Sequence, residues 1–171
     1  MEVGWVLPVA WVGLGAVIVV SSIRAGSSPR AYRVGVLSVS ALWVLAGAAV
    51  NGYFLARGDD YSGFADGAST SYVQDTWESL VVPHHTTFIG LLIAFEAVVG
   101  LLVLVEGPVR QVALVLLIGF TVALVPFGWG YLVWSVPMTL ALVLLFRAGR
   151  VHRRTHGTAV DLTAPPPGAL P

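Results

Sequence analysis

The chain has 171 residues, 57% of them hydrophobic and 11% charged, with a mean hydropathy of +0.85. That balance excludes an ordinary soluble domain, where about a quarter of residues carry charge, and reads as an integral membrane protein whose first partner is the lipid bilayer. Net charge is zero, every basic residue is arginine and cysteine is absent, so disulfides, thiol exchange and sulfur ligation of a metal are excluded, and no basic patch invites nucleic acid.

Residues 4–23 form a run long enough to cross a hydrocarbon core of ~30 Å. Glu2 precedes the run and Arg24 follows it, the reverse of a cleavable signal peptide, so an uncleaved helix with its N-terminus outside is expected. Arg24, Arg30 and Arg33 then occur with no acid among them. The positive-inside rule puts that segment in the cytoplasm. Residues 34–56 give the second span, closed by Arg57. Its Ala46-Gly47-Ala48-Ala49 and Gly52 predict a close helix contact, with Ala48 and Gly52 as a small-xxx-small pair. Asn51 is the polar exception in this span, read first as a hydrogen bond to a neighbouring helix.

The one long connection is an outer loop, residues 58–84, holding Asp59, Asp60, Asp66, Asp75 and Glu78. Val73, Trp77, Leu80 and Val81 recur at helical spacing, and Ser71 with Gln74 fits a capping box, which predicts a short interfacial helix; a plain linker is the alternative. The third span, residues 85–105, ends at the turn signal Glu106-Gly107-Pro108. From 109 to 146 the sequence stays apolar for about twice the length one helix needs, so two spans are expected, 109–126 and 130–147. Pro126-Phe127-Gly128-Trp129-Gly130 marks the break between them. Residues 148–171 are expected to be a disordered cytoplasmic tail beyond a single 1–147 transmembrane domain. Five spans put every arginine except Arg57 on the cytoplasmic side, the arrangement expected in the plasma membrane of a bacterium or archaeon.

Glu96, in the middle of the third span, is the residue that most demands an explanation. An ionised carboxylate there costs several kcal/mol unless paired, hydrated or protonated, so it should face the bundle interior. Asn51, Thr121 and Ser135 fall about 8 to 9 Å below the outer boundary, with Thr139 and Glu96 at roughly 13 and 16 Å. Facing one another, they would line a small outward-opening site with His84, His85, Arg57 and Trp134 at its rim. The bland alternative is that the hydroxyls bond their own helices and Asn51 bonds Glu96. Of the four histidines, His84 and His85 point roughly 100° apart on one helix, and His152 and His156 lie on the other side of the membrane. Neither pair suits a haem, and no metal site or covalently bound cofactor is expected.

Phe95-Glu96-Ala97-Val98-Val99-Gly100, the leucine-rich stretch to Leu104 and the turn to Arg110 resemble the DoxX-like family of small membrane proteins, over about residues 33–147. The resemblance implies an antiparallel four-helix bundle formed by the last four of the five transmembrane helices. It also implies a membrane subunit or anchor of a quinone-linked or redox-stress oxidoreductase, not catalytic by itself, with a quinone set against Glu96 and Trp134 and an oxidoreductase as partner. The chain differs from the family pattern in its added first helix, its long acidic loop and the absence of a lysine after Gly47, an obvious partner for Glu96. Two other readings remain: a small-molecule or proton transporter with Glu96 as its intramembrane site, and a structural membrane protein. A homo-oligomer is compatible with each.

Overall fold

With no water in a bilayer core to satisfy peptide groups, apolar runs of this length are driven to bond internally as helices. The structure, a computed structural model, describes residues 6–161 and the side chains of residues 7–151. Among the described residues five helices are long and apolar enough to cross a membrane, and they suit a multi-pass membrane protein. We label them α1 (Val6–Arg24), α2 (Pro29–Ala56), α3 (Ser71–Leu102), α4 (Pro108–Ala123) and α5 (Trp129–Asp161).

Local chemistry sets each boundary. α2 opens on Ser28, whose hydroxyl accepts from the Ala31 amide at 3.2 Å, with Pro29 in the first helical position, where its missing N–H costs nothing. Midway the helix widens into a π segment, Leu42–Ala49, before closing as α-helix over Val50–Ala56. α3 begins earlier than the 85–105 span predicts. The expected interfacial helix is its first part, Ser71–Thr76, and continues through a π turn (Trp77–Val81) and a 3₁₀ turn (Val82–His84) into the α-helix His85–Leu102. Pro83 lacks an amide proton, which explains why the path loses regular α geometry there. The cap is Thr70, one residue before the expected Ser71, because its extended backbone lets the hydroxyl accept from the Val73 amide at 3.4 Å.

The two predicted breaks are present. Gly107 takes φ 87° and Pro108 starts α4, while Val125–Phe127 forms a 3₁₀ turn ahead of Gly128 at φ 126°. Gly128 is also pressed against the Gly67 carbonyl, leaving no room for a Cβ. α5 runs past the expected end at residue 147. Its helix continues to Asp161, so residues 148–161 are helical rather than a disordered tail; no proline interrupts the chain there, and the Pro165-Pro166-Pro167 run comes only later. Residues 162–171, the rest of the predicted tail, lie outside the described residues, as do the side chains of His152 and His156.

α1 packs on α2 and α5, α2 on α3, α3 on α4, and α4 on α5. The first helix thus closes the bundle instead of standing beside a finished four-helix unit. Ile18, Val39, Leu42, Leu114, Leu117, Met138, Leu142 and Leu145 form the fully or almost fully buried centre. Lipid tails are as apolar as these side chains, so close van der Waals fit and interhelical hydrogen bonds carry the cohesion. The expected Ala48–Gly52 pair is not the point of contact: a Cβ on Gly52 would meet open space. The close approach is at Gly100, where a Cβ would stand 2.8 Å from Val44 Cγ2, and at Gly47. One end of the bundle carries the 57–70 loop and the α4–α5 turn (the loop end); the other carries Arg24, Arg30, Arg33, Arg110 and Arg147 (the basic end).

Candidate functional site

Glu96 lies on the buried face of α3, 6% exposed. Its carboxyl rests on the backbone of α2, where a Cβ on Gly47 would stand 2.8 Å from Oε1 and 3.2 Å from Oε2. Only glycine leaves that seat. One turn further along α2, Asn51 Nδ2 donates to Glu96 Oε2 at 2.9 Å. A buried carboxyl is therefore matched to a side-chain amide donor on the neighbouring helix, which offsets part of its desolvation.

Above the pair sits a residue that the sequence reading missed. The Tyr61 hydroxyl donates to the Asn51 carbonyl at 2.9 Å, so the loop reaches down onto the same turn of α2. Burial first, then the charges of Asp59 and Glu96, push the Tyr61 hydroxyl above the ordinary tyrosine range, keeping it a donor. Tyr61 is held in place from three sides. Its amide donates to Asp59 Oδ1 at 2.8 Å, its carbonyl accepts from Trp77 Nε1 at 2.8 Å, and its backbone takes the left-handed conformation at φ 58°. That conformation is rare for a bulky residue and persists only where the surroundings enforce it. Next in the chain, the Asp60 carboxylate accepts from the Ser62 amide at 3.0 Å; this bond, then the Ser62 hydroxyl and the charge of His85, hold its carboxyl below the usual aspartate range.

The same loop builds a second feature. Phe64 stacks on Trp77 at 4.6 Å between ring centroids and meets Phe127 at 5.1 Å and Tyr131 at 5.2 Å. The Ser69 amide bonds the Pro126 carbonyl at 2.8 Å, tying the loop to the α4–α5 turn. On α1 and α5, Trp11 and Trp134 stack at 3.5 Å, an approach made possible by Gly15, where a Cβ would collide with the Trp134 ring. Together these groups wall a cleft of about 430 Å³ whose lining includes Trp11, Phe64, Phe127, Tyr131 and Trp134, with the Gly63 and Gly67 backbone on the loop side.

The polar layer predicted from depth alone thus divides. Glu96 and Asn51 meet; Trp134 belongs to the cleft, whose lining does not include Glu96. Thr121 bonds its own helix at the Leu117 carbonyl, 2.7 Å away, and Ser135 Oγ is buried with no hydrogen-bond partner among the described residues. Thr139 is half-buried one turn along α5 from Ser135. His85 Nδ1 engages the Val82 carbonyl at 2.9 Å and His84 Nδ1 the Leu80 carbonyl at 3.1 Å, both within α3. Arg57 turns to Tyr53, bonding its hydroxyl, with the guanidinium 5.2 Å from the ring centroid. At the basic end, Arg110 closes the C-terminus of α3 by donating to the carbonyls of Val103 (2.7 Å) and Leu104 (3.0 Å).

Tyr61 had one signal in the sequence, the Asp-Asp pair before it, since aspartates that bond amides two residues on are a mark of tight turns. Trp11 had another: it lies at a depth in the first span similar to that of Trp134 in the last. Among the described residues there is no group of three or more His, Asp or Glu side chains arranged to hold a metal ion. Among the described residues the chain thus has five helices long and apolar enough to cross a membrane, a paired internal carboxyl and an aromatic cleft at its loop end. No family model, curated protein or solved structure matches the chain.

Proposed function

We propose that the chain is a DoxX-like membrane subunit of a quinone-linked or redox-stress oxidoreductase complex, with its loop end outside and its basic end in the cytoplasm of a bacterium or archaeon. In this reading it binds a quinone ring and presents it to a partner enzyme, without catalysing a reaction of its own. The observation that carries the reading is the aromatic-walled cleft of about 430 Å³. Its volume falls in the range of small-molecule sites, and flat π faces suit a planar ring. The outer surface of the Trp11–Trp134 stack and the Phe127 ring would wall the bound ring, and the Tyr131 hydroxyl is a donor suited to a ring carbonyl. A bound quinone would supply the two-electron, two-proton chemistry; the chain binds and orients it.

Glu96 acts in this scheme as a positioning residue. Its carboxyl fixes Asn51, Asn51 receives Tyr61, and Tyr61 sets the loop whose Gly63, Phe64 and Gly67 form one wall of the cleft. A ligand between α2 and α3 is disfavoured because the carboxyl already lies on Gly47. The test is saturable quenching of tryptophan fluorescence by a short-chain quinone in purified protein, together with a mild-detergent pull-down read by mass spectrometry. Quenching that Trp134→Ala abolishes and Glu96→Gln weakens supports the proposal. Absence of saturable binding, with no oxidoreductase recovered, overturns it, and proton or solute flux that depends on Glu96 would move the assignment to transport.

A further inference from the structure

A second depression opens at the basic end, between α1 and α2, with a volume of about 400 Å³. Its walls are Ala16, Val17, Val20 and Ser21 on α1 and Ala31 and Val34 on α2, and Arg24 stands at its end. Alanines on the facing walls keep the groove open, and it runs along α1 for roughly 12 Å from Ala16 to Arg24. Along most of its length it offers only apolar atoms, which in a bilayer are covered by a hydrocarbon chain so that van der Waals contacts are not lost.

The charges make the groove selective. Arg24 is exposed, and Arg30 lies on the Val34 side of α2 one turn nearer the basic end, since four residues return to nearly the same face. Between Glu2 and Asp59 the sequence holds no acid, and among the described residues no carboxylate pairs with Arg24. The Ser21 hydroxyl is already turned inward to the Ile18 carbonyl at 3.1 Å. A guanidinium at the end of an apolar channel, without an anion of its own, matches a phosphate joined to an acyl chain.

We propose that this groove is a binding site for one anionic phospholipid, with an acyl chain between α1 and α2 and its phosphate on Arg24. The occupancy is independent of the quinone cleft, which lies at the opposite end of the bundle. The test is native mass spectrometry of protein released from vesicles of mixed phosphatidylglycerol and phosphatidylcholine. Wild type should retain one phosphatidylglycerol in preference to phosphatidylcholine, and free inorganic phosphate should not displace it. Arg24→Gln, at an exposed position, should lower retention about fivefold, and Ala31→Leu, which fills the groove, should lower it with Arg24 intact. Equal retention of the two lipids, unchanged retention in both variants, or a lipid-free dimer that Ala31→Leu dissociates would each overturn the proposal.

Discussion

The Asn51–Glu96 bond can be weighed by a double-mutant cycle of Asn51→Leu, Glu96→Leu and the pair. Glu96 is 6% exposed and rests on Gly47, so it cannot turn to water when Asn51 is replaced. Asn51→Leu leaves a buried acceptor without its donor and should cost about 1–3 kcal/mol. The double replacement removes both polar groups and should cost less than the sum. Cycles between membrane helices average about 0.6 kcal/mol and reach about 1.7; the depth of this pair puts the expected coupling near the upper figure, at about 1–1.5 kcal/mol. A steric-trapping or thermal unfolding measurement in bicelles resolves that, since 1.4 kcal/mol is about tenfold in the unfolding constant. Coupling under about 0.3 kcal/mol would refute the claim that this bond holds α2 to α3.

Gly100→Ala should lower stability by about 1–3 kcal/mol in the same assay, because its new Cβ would press on Val44 and Trp43, whereas Gly52→Ala, facing open space, should be nearly neutral. Tyr61→Phe removes the bond to the Asn51 carbonyl and should raise amide exchange across the 58–70 loop about three- to tenfold. Because the Asp60 carboxyl is held below its usual range by the Ser62 amide, its contribution is present above the ordinary aspartate pKa and is lost as the pH falls through the depressed value. Ser62 amide protection, corrected for intrinsic exchange, should therefore be constant at neutral pH and fall once the pH drops below about 4. For orientation, cysteine at Ser62 should react with an impermeant thiol reagent in intact cells and cysteine at Ser28 should not; the reverse would invert the topology.

The five helices and both turns were legible because they rest on chemistry carried by single residues: long apolar runs, Gly107-Pro108, and the Pro126 to Gly130 cluster. Glu96 was legible as buried because a carboxyl in an apolar span has few other places to go, and Asn51 as its partner because it was the one amide in the neighbouring span. The direction in which the hydroxyls face was not, and they do not converge on Glu96. Depth counting gives a residue's height in the bilayer but not its azimuth, and a π segment resets azimuth along α2 without leaving a mark in composition. Tyr61 escaped because its role depends on a left-handed backbone and on Trp77 sixteen positions on. The Trp11–Trp134 stack joins the first and last helices, a contact that no local pattern encodes.

The π segment Leu42–Ala49 also acts as a phase shifter. An α-helix advances each residue by ~100°, whereas a π stretch advances it less, so the two halves of α2 run on different angular registers. Seen this way, the segment is equivalent to a residue inserted into an otherwise regular helix, and removing one residue from it restores ordinary winding. That deletion would leave Asn51 near its present azimuth, whereas winding all eight residues as ordinary α-helix would rotate Asn51 by about 100° relative to the Arg-rich half of its own helix, uncoupling Glu96 from the loop while deleting none of the groups that join them. The loop, the carboxyl and the cleft are kept in phase by the length of eight apolar residues.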